Sequence, residues 1–301
     1  MATQSQWIAG ARPRTLPAAV APVLVGTSIA YWQESIDVGA SYFQPTIAIL
    51  ALIVSLALQI GVNFSNDYSD GIRGTDAVRV GPVRLVGQGL AQPKHVKYAA
   101  FISYGIGAIA GLLMVLLSHY YLLIPVGIAA IISAWFYTGG KNPYGYAGWG
   151  EVFVFTFFGL VAVIGTFAAQ TKQITLPSIL GAVVCGALST AILVVNNLRD
   201  IPGDTQSGKK TLAVRLGENH TRLFYYLCIA IAFGTAAYLG KICGGPKIAL
   251  LVLLPAFEAI KPISIVKSKA KGPELIPALA GTGRLLLALA IVLSAAISLS
   301  R

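Results

Sequence analysis

The sequence predicts an all-α integral membrane protein with about nine transmembrane helices, and three observations carry that prediction. Hydrophobic residues make up 56% of the 301-residue chain and charged residues only 11%, with a mean hydropathy of +0.74; one soluble core cannot bury that much apolar surface. Apolar runs recur along the whole length, and no connection between them is long enough for a separate soluble unit, so residues 1–301 are expected to form a single transmembrane domain. The Lys and Arg residues fall in the short connections, and they fall on one side.

The expected spans are residues 15–33, 45–65, 97–117, 120–138, 151–169, 175–198, 222–240, 247–260 and 284–300. Before the first, Arg12 and Arg14 precede an apolar run as in a signal peptide, but Pro13, Pro17 and Pro22 interrupt it, so an uncleaved first helix is expected. The third carries Gly105, Gly107, Ala108, Ala110 and Gly111, small residues that let helices approach closely in lipid. The eighth is short and contains Pro255 and Glu258, so a helix that is tilted, broken or packed inside the bundle is expected there. With the N-terminus inside, nine spans place 18 Lys and Arg residues on the cytoplasmic side and leave Lys172, Lys241, Lys247 and Arg301 on the other. That asymmetry predicts a multi-pass protein of the cell membrane with its N-terminus and acidic loops cytoplasmic.

The formal charge of +11 is spread over loops rather than along one face, which excludes a nucleic-acid surface. Cys185, Cys228 and Cys243 lie far apart in apolar surroundings, and the three histidines are equally scattered, so neither a disulfide framework nor a zinc site is expected.

The acidic residues are few and clustered. In VNFSNDYSDGIRGTD, residues 62–76, Asn66 and Asp70 share a helix face, Asp67 lies about a quarter turn away, and Asp76 follows Gly71 and Gly74, which free the backbone to fold back. Oxygen ligands so arranged suit Mg2+ shared with a substrate phosphate. The second cluster, residues 195–217, spaces Asn196, Asp200 and Asp204 by four, with Pro202 and Gly203 expected to bend or end the helix between the two acids. Arg73, Arg79, Arg84, Arg199, Lys209 and Lys210 beside these acids suit a metal together with an anion, although about half the basic residues are explained by topology alone. A third segment, Trp135 to Glu151, is rich in aromatics and glycine; Tyr137, Tyr144 and Tyr146 are either interfacial anchors or the lining of a pocket for a planar substrate or an allylic cation.

Four stretches carry a family resemblance: ARPRTLPAAVAPVLVGT near the start, NDYSDGIRGTD with RVGPVRLVG, YTGGKNPYGYAGWGE, and NNLRDIPGDTQSGKKTLAVRLG. The chain resembles the UbiA superfamily of intramembrane aromatic prenyltransferases, most closely its menaquinone-pathway branch. The resemblance implies a helical bundle around a lipid-accessible cavity capped by cytoplasmic loops. It implies a first signature of Asn66, Asp70 and Asp76 with Asp67 alongside, the last interval being six residues rather than the four common in the superfamily, and a second of Asp200 and Asp204 preceded by Asn196. Carried over, catalysis falls to Asn66, Asp70, Asp200 and Asp204, and Mg2+ to Asp67, Asp70, Asp76, Asp200 and Asp204. Diphosphate falls to Arg73, Arg79, Arg84, Lys209 and Lys210, and the aromatic or cation pocket to Asn63, Tyr137, Lys141, Tyr144, Tyr146 and Asn196. The implied reaction joins a polyprenyl diphosphate to 1,4-dihydroxy-2-naphthoate with loss of CO2, the prenyl tail lying toward membrane lipid. Homogentisate or 4-hydroxybenzoate as acceptor, and a cation-coupled transporter, remain open as alternatives.

Overall fold

The computed structural model describes residues 2–74 and 83–301, and the regular elements among them are all helical. They are α1 (Gln4–Gly10), α2 (Pro17–Gln33), α3 (Pro45–Ile72), α4 (Pro93–Ser118), α5 (Leu123–Phe136), α6 (Gly150–Thr171), α7 (Leu176–Gln206), α8 (Leu212–Leu251), α9 (Ala256–Lys267) and α10 (Ile276–Leu299). Proline opens α2, α3, α4, α7 and α10, where its missing N–H costs no bond and its fixed φ already suits a helix. Between α1 and α2, Arg12 adopts a left-handed φ of 54° just before Pro13, and the chain bends by 50°.

Among the described residues, six helices are long and apolar enough to cross a bilayer, or seven if the bent pair through α2 is one span, so this is a multi-pass membrane protein. Length and composition alone do not confirm the expected count of nine, for two reasons. α5, the expected fourth span, has 14 residues and so reaches about 21 Å against a hydrocarbon core of about 30 Å. The expected eighth span is divided: α8 breaks at Gly244 and Gly245, and Pro255 caps the separate α9. A second correction concerns α7, which runs through Pro202 and Gly203 to Gln206 without the expected break. Proline removes one backbone donor there, and the Thr205 hydroxyl donates to the Ile201 carbonyl at 2.7 Å within the same turn.

α7 is the central post. Of its apolar window, 72% is buried, against 33–50% for the other long spans, and it packs against α6, α8 and α10. α6 can approach it because Gly159, in a π-helical stretch Thr156–Ile164, sits where a Cβ would come within 2.6 Å of the Ala182 carbonyl oxygen and the Gly186 Cα. Outward faces are apolar, as Ile102, Ile106, Ile109, Leu113 and Leu117 along α4 show. On α4's inner side Gly107 meets Leu58 and Gly111 meets Val54 of α3, while Gly105 faces open space.

The connections gather at two ends. At one, the Gln170 side-chain Oε1 accepts from Gln44 N at 3.1 Å, Gln173 donates to Asp37 at 3.1 Å, Trp32 donates to the Cys243 carbonyl at 3.0 Å, and Arg301 pairs with Glu34 at 2.8 Å. Gln173, Tyr42 and Gln33 all donate to Asp37 and hold its carboxyl below the usual range. The other end collects the ends of α3 and α7 and the basic loops.

Candidate active site

The last two turns of α3 carry Asn66 and Asp70 inward. Asn66 Oδ1 accepts from the Thr138 hydroxyl at 2.8 Å. Asp70 Oδ1 accepts from the Tyr146 hydroxyl and from Lys209 Nζ, the latter at 3.1 Å. Lys209 reaches back because Gly208 takes a left-handed φ of 73°, and its own amide then donates to the Asp204 carbonyl at 2.8 Å. Its ammonium lies 4.3 Å from the centre of the Tyr146 ring, and both it and Asp70 are buried. The 137–146 loop is tied to the 209–210 loop by Lys210 N donating to the Tyr146 carbonyl at 2.8 Å. Burial and the nearby Asp70 charge push the Tyr146 phenol well above its ordinary value, and burial does the same for Tyr144. Tyr146 therefore stays protonated and donates to Asp70.

Two cavities meet at Tyr137. The polar one, about 60 Å³, brings together Asn66, Asp70, Asn196, Asp204, Tyr146 and, of the expected cations, Arg84 and Lys209. The apolar one, about 310 Å³, runs down between α2, α3, α4, α5 and α6 past Leu58, Met114 and Phe157. Tyr137 lines both, while Tyr144 lines the apolar one, stacked on Phe153 at 3.9 Å with its hydroxyl donating to the Ser133 carbonyl at 2.8 Å.

Other expected residues stand elsewhere. Asp67 is fully buried and accepts the backbone amides of Leu85 at 2.7 Å and Val86 at 3.1 Å. Asp200 is gripped by its neighbour Arg199 through two bonds of 2.7 Å. Arg73 donates to the Thr138 and Gly140 carbonyls and lies 5.2 Å over the Tyr146 ring. Lys141 and Lys210 are exposed and border neither cavity. Asn63 donates to the Ala11 carbonyl at 2.9 Å and to Thr15 at 3.0 Å, joining α3 to the α1–α2 bend. Asp76 and Arg79 lie outside the described residues. The cavity also contains four side chains not expected from the motifs: Arg12, Thr138, Asn197 and Thr211. Arg12 was hidden as a topology marker, and Asn197 by standing beside the spaced Asn196.

The donor set bears on a metal. Among the described residues no three His, Cys, Asp or Glu side chains gather closely enough to hold an ion alone. What the cavity offers is a few hard carboxylate and amide oxygens beside three cations, Arg12, Arg84 and Lys209. That composition fits Mg2+ completed by water and phosphate oxygens rather than by a protein cage.

The sequence pattern of the UbiA prenyltransferase family matches residues 19–274. The chain belongs to the UbiA prenyltransferase family. It is similar to the 1,4-dihydroxy-2-naphthoate octaprenyltransferase of Mycobacterium tuberculosis, 48% identical over 99% of this chain and 98% of that one. The protein of the same description from Escherichia coli is 40% identical over 74% of this chain and 72% of its own. In three dimensions, a UbiA homolog from Archaeoglobus fulgidus solved with GPP and Mg2+ matches with a TM-score of 0.67 at 14% identity, over 97% of this chain and 99% of that one. The UbiA fold thus accounts for the whole bundle, α5 and the divided α8–α9 region included.

Proposed function

We propose that this UbiA-family enzyme transfers a polyprenyl group from its diphosphate to 1,4-dihydroxy-2-naphthoate with loss of CO2, giving a demethylmenaquinol in menaquinone biosynthesis. The observation that carries this reading is the near-full-length 48% identity to a 1,4-dihydroxy-2-naphthoate octaprenyltransferase, and the joined polar and apolar cavities give it a physical basis. The diphosphate belongs in the polar cavity, where Lys209, Arg84 and Arg12 bring positive charge to its oxygens. Asn66, Asp70, Asn196 and Asp204 would hold Mg2+, which supplies positive charge against the leaving diphosphate. The prenyl tail lies in the apolar cavity, with membrane lipid beyond the outward helix faces.

The allylic carbon–oxygen bond breaks with its electron pair leaving on the diphosphate. Tyr137 and Tyr144 present rings to the carbocation, and the apolar lining excludes water that would quench it. The electron-rich ring carbon bearing the carboxylate bonds to the allylic carbon, and the carbon–carboxylate pair returns to the ring as CO2 leaves. No net proton is gained or lost, so the step needs no general base.

The test is purified protein in lipid nanodiscs with labelled polyprenyl diphosphate and, in turn, the naphthoate, 4-hydroxybenzoate and homogentisate. One CO2 per prenyl transferred to the naphthoate is expected; equal turnover of 4-hydroxybenzoate, or prenylated product without CO2, would overturn the reading. We place the protein in the cell membrane with the N-terminus and the site end cytoplasmic, as the charge asymmetry supports. Asn142→Cys and Lys269→Cys, both exposed against buried native cysteines, should react with an impermeant thiol reagent only in inverted vesicles. Labelling in intact cells would reverse the orientation.

A further inference from the structure

Glu151 and Asn197 meet between α6 and α7, beside the polar cavity. Glu151 stands in the first turn of α6 and is 4% exposed. Its Oε1 accepts from Asn197 Nδ2 at 2.9 Å, and its Oε2 has no hydrogen-bond partner. Asn197 is also buried and borders the cavity. Among the described residues no hydrogen bond reaches its Oδ1.

A buried carboxylate is an expensive way to hold two helices together, since apolar contacts would do so without desolvating a charge. What it supplies beyond adhesion is direction. A carboxylate only accepts, so the Asn197 amide must turn its nitrogen toward Glu151, and its oxygen is the end left for the cavity. Three of the other cavity groups are of the opposite kind: Lys209, Arg84 and Arg12 only donate, as a phosphate requires, while Asp70 and Asp204 accept on the side where a metal would lie. An amide oxygen would repel phosphate oxygens but accept from a hydroxyl.

We propose that Glu151 is a positioning residue that fixes the Asn197 amide with its oxygen toward the cavity, and that this oxygen accepts a hydrogen bond from a ring hydroxyl of the aromatic acceptor. The pair thereby separates the two substrates: donors take the diphosphate, and the oriented oxygen takes the phenol. This rests on the aromatic prenyl transfer proposed above. Tyr137, which lines both cavities, has its hydroxyl 3.4 Å from where a Cβ on Gly150, the residue before Glu151, would stand.

Three variants test the assignment by steady-state kinetics. Glu151→Gln leaves a partner that can donate or accept, so the Asn197 amide loses its fixed sense. Asn197→Asp sets two carboxylates against each other. In the double variant E151Q/N197D the new amide donates to the new carboxylate, whose second oxygen is again an acceptor for the cavity, and the total charge is unchanged. Each single variant should raise KM for the naphthoate roughly tenfold, the loss of one buried hydrogen bond. For Glu151→Gln, which adds no charge to the cavity, KM for polyprenyl diphosphate and the Mg2+ concentration for half-activation should stay within about twofold of wild type. The double variant should recover most of the naphthoate KM, which a merely structural role or a fold defect would not produce. Unchanged naphthoate KM in both singles, no recovery in the double, or a rise in the Mg2+ requirement of Glu151→Gln would each overturn the proposal. Failure of the wild-type protein to prenylate the naphthoate would instead overturn the reading on which it rests.

Discussion

Asn66–Asp70 on α3 and Asn196–Asp200 on α7 share one spacing and one end of the bundle, yet their surroundings differ. On α3 both members face the polar cavity, and Asp70 is approached from other loops by Tyr146 and Lys209. On α7 Asn196 borders the cavity, but Asp200 is bound by Arg199 next to it, and the carboxylate that enters the cavity is Asp204, one turn further on. The unbroken helix through Pro202 makes this possible, since it keeps Asn196, Asp200 and Asp204 on adjacent turns of one face. Equal spacing therefore places candidates, and neighbouring charges decide which of them is available.

The strongest way to break this comparison is to neutralise one acid from each side. Asp70→Asn and Asp204→Asn should each lower prenyl transfer on the order of a thousandfold, the several kcal/mol expected when a metal's charge is lost at the leaving group. The double variant should cost little more than either single one, because groups that work as a unit are strongly non-additive. Rates over an Mg2+ titration, on proteins of matched thermal stability, check this. Penalties that multiply would mean two independent sites.

The Arg199–Asp200 pair should show its importance in stability instead. Both side chains are buried, at 4% and 6% exposure, and removing one member of such a pair costs about 3–5 kcal/mol. Arg199→Met should lower the thermal midpoint markedly, and adding Asp200→Asn should restore much of it. If Asp200→Asn alone lowers activity as far as Asp204→Asn, then Asp200 shares the metal, and the contrast between the two elements fails.

Much of this was legible in the sequence because membrane burial is blunt: apolar length and lopsided basic loops both report on one physical constraint. The acids at one end were visible for the same reason, since charge next to hydrocarbon is costly. What could not be read was which way each polar group turns. Asp67 and Asp70 are three residues apart, and no spacing rule says that the first meets Leu85 and Val86 while the second meets a lysine 139 residues away. The helix count is left unconfirmed at α5 and at Gly244–Gly245, where helices are short or broken and apolar length is a poor guide to what spans.

Asp67 offers the finest test, because it contrasts two acids within the first element. By motif it stands with the metal ligands; by position it is a buried clasp on the segment 84–86, with the Arg84 and Arg12 guanidinium groups in electrostatic reach. Both guanidinium residues border the polar cavity, so loosening the clasp should be felt by the diphosphate. Asp67→Asn keeps the size but turns an N–H2 group toward one of the two backbone amides, so one charge-assisted bond is lost and one donor is left facing another. The expected result is a rise of roughly tenfold in KM for polyprenyl diphosphate, equivalent to about 1.4 kcal/mol, with a modest fall in thermal midpoint. The Mg2+ concentration for half-activation should stay at the wild-type value, whereas Asp70→Asn should raise it. Were Asp67 instead to reach the metal, its replacement would raise the Mg2+ requirement and excess Mg2+ would restore activity; a clasp that has been loosened does not respond to added ion.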